Sequence, residues 1–370
     1  MVGHLEPLLA WLRTGTAAGG RLDFPTGTAL PDGRLDLCKQ ALGPDGAAQV
    51  AEAMRPGVVR HLLLGTDGLG DGAAEAVGQA VEREVETLYL GCNGITSGGA
   101  CRIADNLRMS PQASKVTGIW LKRNPIGDGD AAAAIVEAAQ SLRTLDLVQT
   151  SLDATGLSRV VAAMLTATAA GRRIDRLYVG GNPLGPAGAT HLAALLAADA
   201  VSELYVSAAQ LGDEGAHIIA DALKAGSLRR ISLASNGIGP QAAAGLVIAA
   251  VRAGVEVCDL GRVKAAGVLG AQDNRLNEAA ATAIADELAQ QPHRLQHLVL
   301  SNTGLHSQAA HRLLDGAQRA VTPTRFILGK GVATSIRRRL DALSAAIPER
   351  PAVPADVAAV RSVHRQPPPA

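Results

Sequence analysis

At 370 residues the chain is long enough for two ordinary domains or one long repeat array. Apolar residues make up 47% and aromatics only 2%, so any core is built from Leu, Ile, Val and Ala rather than from rings. A net charge of +1, from 35 basic and 34 acidic residues without a long single-sign run, leaves no electrostatic footprint for nucleic acid or an anionic membrane. No stretch approaches the roughly 18 uncharged apolar residues of a membrane span.

Four cysteines, Cys38, Cys92, Cys101 and Cys258, form no CxxC pair, and a chain of this size is no disulfide scaffold. Reduced thiols and a cytoplasmic location are expected. The opening MVGHLEPLLAWLRTG has Glu6 and Pro7 inside a short apolar stretch and does not fit a secretory leader.

In chain order, residues 1–33 are expected to cap an array. LEPLLAWLRTG reads as the cap helix, with Trp11 sealing the core. From Leu35 onward one phrase returns, LxxLxLxxNxL followed by a Gly-containing turn. It stands as LDLCKQALGPDG from Leu35, LLLGTDGLGDG from Leu62, LYLGCNGITSG from Leu88 and IWLKRNPIGDG from Ile119. It continues as LDLVQTSLDATG from Leu145, LYVGGNPLGPAG from Leu177, LYVSAAQLGDEG from Leu204 and ISLASNGIGPQA from Ile231. An interrupted copy begins at Cys258, and LVLSNTGLHSQA starts at Leu298. The starts are spaced by 27, 26, 31, 26, 32, 27, 27, 27 and 40 residues.

Each LxL core predicts a short strand whose leucines point inward and whose middle residue points out. The Ala-rich stretch after each turn, such as AGATHLAALLAADA, predicts a helix that lies close to the sheet. Strand, turn and helix in right-handed succession give an α/β solenoid with a parallel sheet and outer helices. A helix is wider than the ~4.8 Å strand spacing, so the sheet is expected on the concave side.

These phrases resemble leucine-rich repeat proteins, in the long-repeat subclass typified by ribonuclease inhibitor. The Gly-Ala-rich turns also resemble bacterial GALA-type repeats, and the abundance of Ala, Gly and Arg fits a GC-rich bacterium. The resemblance covers residues 34–332. It implies that the asparagine position bonds backbone groups of neighbouring turns. That position reads Gln40, Asp67, Asn93, Asn124, Thr150, Asn182, Ala209, Asn236 and Thr303. Ala209 has no side-chain amide, so a water or a looser turn is expected there.

Residues 333–347 are expected to form a C-terminal cap helix, read from IRRRLDALSAAI, and residues 348–370 a disordered Pro-rich tail. The largest insertion, GRVKAAGVLGAQD at 261–273, leaves a strand end on the rim. Arg262 and Lys264 are expected to reach from it over the open face.

Aligning the copies isolates the column between the strand leucines: Asp36, Leu63, Tyr89, Trp120, Asp146, Tyr178, Tyr205, Ser232, Asp259 and Val299. All three tyrosines and one of the two tryptophans fall in it. Solvent-turned aromatics beside an aromatic-poor core read as binding anchors. Tyr89, Trp120, Tyr178 and Tyr205 are therefore the expected anchors, with Lys122, Arg123, Asp146, Arg176, Glu203, Asp259, Arg262 and Lys264 supplying charge. The aromatics span about four strand spacings, or roughly 19 Å, which suits a protein or extended peptide better than a small metabolite.

Catalytic chemistry is not expected. GLGDGAAEAV at 68–77 is the turn of a repeat, matched elsewhere by GDGDAAAA, and lacks a dinucleotide-site context. His293, His297, His306 and His311 fall on a strand, a turn and a helix without a metal-ligand spacing. No cofactor or metal is expected. The reading is a non-catalytic, protein- or peptide-binding scaffold of undetermined oligomeric state. The alternatives are an auxiliary subunit presenting a substrate to an enzyme, or a secreted effector.

Overall fold

The computed structural model describes residues 2–365. Two compact units divide the chain. One runs to Ile174 and takes back the residues from Val353 onward, and the other is Asp175–Ala352.

In the first unit, β1 (Leu22–Asp23) and β2 (Thr28–Ala29) form an antiparallel hairpin, and β2 pairs antiparallel with β3 (Arg34–Asp36). From β3 the ladder is parallel, through β4 (His61–Leu63), β5 (Thr87–Tyr89), β6 (Gly118–Trp120) and β7 (Thr144–Asp146). Leu35, Leu62, Leu88, Ile119 and Leu145 are consecutive partners, which is the repeat phase read from the sequence. All five are fully buried, as are Val50, Val77, Ile103, Ile135 and Val160 on the intervening helices. The helix Val2–Thr14 covers the first end, where Trp11 meets Phe24 at 5.5 Å between ring centroids.

The second unit repeats the plan with β8 (Arg176–Tyr178), β9 (Glu203–Tyr205), β10 (Arg230–Ser232), β11 (Val257–Asp259), β12 (His297–Leu300) and β13 (Arg325–Leu328), all parallel. Leu177, Leu204, Ile231, Cys258, Leu298 and Phe326 share its central register. β13 is a repeat strand not legible in the sequence, because RFIL puts Phe326 where the phrase has Leu. Helices follow every strand from β8, the last being Thr334–Leu343 against β13. Close helix packing relies on small residues: a Cβ on Gly316 would stand 2.6 Å from the Cβ of Ala285. Both units therefore have a leucine-rich repeat architecture, with helices on one sheet face and a strand face on the other. Among the described residues, no helix is long and apolar enough to cross a membrane.

The asparagine column forms the expected ladder. Asn124 Oδ1 accepts from the amides of Asn93 and Ile95, while its Nδ2 donates to the carbonyls of Leu90 and Leu121. Asn93 repeats this toward Asp67, Leu64 and Leu90, and Asp67 Oδ1 accepts from the Gln40 amide. Asn274, after the insertion, completes the interrupted copy by bonding Asn236, Ile238, Leu233 and Leu260.

The expectation of a looser turn at Ala209 is corrected. Ala208 keeps the left-handed backbone, φ 55°, that Cys92, Arg123 and Ser235 adopt at the same position. The Ala209 amide donates to Asn236 Oδ1 at 2.8 Å. Each ladder amide reaches its own strand and the one before it. Val206 O is therefore served by Asn236 and Val179 O by Asn182, with Ala209 between them.

A second correction concerns the tail. Residues 348–365 have defined structure, including the short helix Ala355–Ala359 and a 3-10 turn at Val363–Arg365. Only residues 366–370 of the expected disordered tail lie outside the described residues. The physical reason is that VAAV carries two aliphatic side chains three residues apart, which find an apolar partner surface.

Candidate protein-binding surface

Side-chain alternation puts the first and third residue of each repeat strand, β3 to β13, on the strand face, away from the helices. Two columns result. In the first unit they begin with Arg34, His61, Thr87, Gly118 and Thr144, paired with Asp36, Leu63, Tyr89, Trp120 and Asp146.

The expected anchors Tyr89 and Trp120 do lie on this face, but they are only 1% and 3% exposed. Their reading as solvent-turned side chains is corrected. With Cys38 and Leu63 they form an apolar cluster against which Val357 and Val360 pack. The Trp120 ring folds back over Gly118, where an added Cβ would collide with it, and the Tyr89 hydroxyl lies toward Gly91. The rings thus lie along the sheet and leave a floor for the helix Ala355–Ala359. Lys122 Nζ sits 5.5 Å from the Tyr89 ring centroid, in range of a cation–π contact.

Polar groups fix the same segment at both ends. Thr144 Oγ1 donates to Asp356 Oδ2 at 2.9 Å. Asp36, fully buried, accepts from Ser362 Oγ at 3.0 Å and from the Val363 amide at 2.6 Å. Arg34 Nη1 donates to the Arg361 carbonyl, and Thr28 Oγ1 lies 3.4 Å from His364 Nε2. Asp36, Arg34 and Thr144 were not singled out as site residues from the sequence. Their first-and-third strand positions were the signal that finds them.

Asp146 is 5% exposed, not a free surface charge, and burial pushes its carboxyl up to about 6 despite the Val148 amide and Lys122. Arg123 is exposed and donates to Gln149 Oε1 at 2.6 Å.

In the second unit Tyr178 and Tyr205 are half-buried and stack face to face, with centroids 4.2 Å apart and planes within 6°. They are direct partners across β8 and β9, as the repeat phase requires. The Tyr205 hydroxyl donates to Glu203 Oε2 at 2.7 Å. Burial, then neighbouring negative groups, raises both phenols well above the ordinary range, so both are neutral. Glu203 is 3% exposed and lies between Arg176 (3.5 Å) and Arg230 (3.9 Å). Asp259 accepts from Ser232 Oγ and the Gly261 amide, and burial raises its pKa.

Arg262 and Lys264 stand exposed on the insertion, where Arg262 pairs with Asp273 at 3.3 Å. The structure therefore brings Arg176, Tyr178, Glu203, Tyr205 and Asp259 onto one face. Tyr89, Trp120, Lys122 and Asp146 share the strand face of the other unit. Cys258 is buried, and burial pushes its thiol up to about 12, so it is inert at neutral pH.

No family model matches the chain, and no curated protein matches it. Solved structures do. A chain of the crystal structure of the yeast Rad7 and Elc1 complex is similar at 13% identity and a TM-score of 0.46, covering 89% of this chain and 83% of that one.

Proposed function

We propose that the protein is a non-catalytic binding module that holds a protein or extended peptide on its strand face. The observation that carries this reading is the stacked Tyr178–Tyr205 pair, half-buried beside the charges of Arg176, Arg230 and Glu203. Rigid aromatic pairs flanked by arginine are the composition of interaction hot spots. Glu203 holds the Tyr205 hydroxyl and so presets the ring before a partner arrives, which limits the ordering cost of binding.

In this reading the chain does no chemistry itself and needs no cofactor or metal. We also read the array as the long-repeat, ribonuclease-inhibitor-like kind with bacterial GALA-type turns, working in the cytoplasm. Strand starts mostly 26 or 27 residues apart support the subclass.

The test is affinity capture with the full chain and with Tyr178→Ala/Tyr205→Ala. The wild type is expected to retain a defined partner and the double variant to lose it, with thermal unfolding still cooperative. An unchanged captured set overturns the proposal.

A further inference from the structure

We infer that the strand face of the first unit is itself a peptide-recognition surface, with residues 353–365 as its built-in occupant. They hold the place of a partner segment that presents two aliphatic side chains one helical turn apart, then a hydroxyl residue at the entry to a 3-10 turn. This rests on reading the strand face as a binding surface and adds which peptide chemistry it takes.

The occupant is bound as a ligand is bound. Val357 and Val360 enter a floor built by Leu63, Tyr89, Trp120 and Cys38. The spacing of three puts both on one face of the helix Ala355–Ala359 and the turn that follows it. Thr144 holds the Asp356 carboxylate at the helix start. At the other end Asp36 takes one side-chain and one backbone donor, Ser362 Oγ and the Val363 amide. Such a pair of bonds reads a hydroxyl residue at the entry to a 3-10 turn rather than any residue. The Arg34 bond to the Arg361 carbonyl adds a backbone contact without side-chain preference.

The helix is only five residues long, too short to persist on its own, so it is ordered by this face. It also adds no strand: none of the residues 353–365 joins the sheet. Removing it breaks no ladder bond, which distinguishes an occupant from a repeat. Asp36 is the point at which it can be released. A negative charge on residue 362 would face the Asp36 carboxylate instead of donating to it. The tether keeps the segment at an effective concentration on the order of millimolar, so a partner in trans competes against its own chain.

The test uses the full chain and a fluorescein-labelled synthetic peptide, VPADVAAVRSVHR, of residues 353–365. Val357→Asp/Val360→Asp puts two charges on the apolar floor, and Ser362→Asp opposes Asp36. Both should vacate the face while leaving every repeat intact. Peptide anisotropy is expected to show binding to each variant at least ~10-fold tighter than to the wild type. The same peptide carrying both aspartates should not bind. Equal affinity for variant and wild type, or no binding to either, overturns the inference. So does loss of the cooperative unfolding transition in both variants, which would make the segment part of the core. If only Val357→Asp/Val360→Asp misfolds, Ser362→Asp decides by the same measurement. A failure here leaves the Tyr178–Tyr205 capture result untouched, so the two readings fall separately.

Discussion

Asp67 stands where Asn93, Asn124 and Asn236 carry an amide, and its Oδ2 is buried with no hydrogen-bond partner among the described residues. In Asn93 the equivalent atom is a nitrogen that donates to Leu64 and Leu90. A carboxylate oxygen has nothing to donate, whereas a protonated acid does. Burial accordingly raises Asp67 to about 7, against the bonds from Gln40, Leu42 and Ala41 that lower it. A folded-state pKa above the unfolded value means the native protein holds the extra proton between about pH 4 and 7. Stability is therefore expected to fall as pH rises through that window. Asp67→Asn should flatten this slope and raise stability at pH 8 by about 1–3 kcal/mol, read from urea midpoints. Gly118 makes a different residue-scale case. Gly118→Ala must push the Trp120 ring off the sheet, so it is expected to cost about 1–3 kcal/mol and to shift tryptophan emission.

Among elements, the ladder is a chain of shared bonds rather than a set of independent ones. Asn124→Ala removes two donors and two acceptor contacts and is expected to destabilise by about 3–5 kcal/mol. Asn93 and Asn124 both donate to the Leu90 carbonyl, so either single variant leaves it one donor and the double leaves neither; the double variant should cost more than the sum of the singles in chemical denaturation. The loss is larger than Ala209 suggests, since at Ala209 the flanking Asn182 and Asn236 still supply Val179 and Val206. The short helix Ala355–Ala359 behaves as a lid over two rings. Val357→Asp/Val360→Asp is expected to shift tryptophan emission to the red as Trp120, now 3% exposed, meets water.

For the molecule as a whole, ten strand phrases are legible in the sequence, and their phase is the register of the paired strands within each unit. β13 was not legible, because Phe326 fills the leucine position and no asparagine follows. The strand face was legible as a set of residues: alternation is a property of the backbone, so Tyr89, Trp120, Tyr178 and Tyr205 had to lie on it. Whether that face was open was not legible. Ser362 meets Asp36 across 326 residues, and no local period encodes a contact of that range. What the sequence by itself determined was the repeat, its register and which side chains share a face, since all three follow from periodicity along one strand. Only the tertiary structure decided that residues 353–365 lie over Tyr89 and Trp120 while Tyr178 and Tyr205 stack on each other, because burial depends on which distant segment returns to cover a surface.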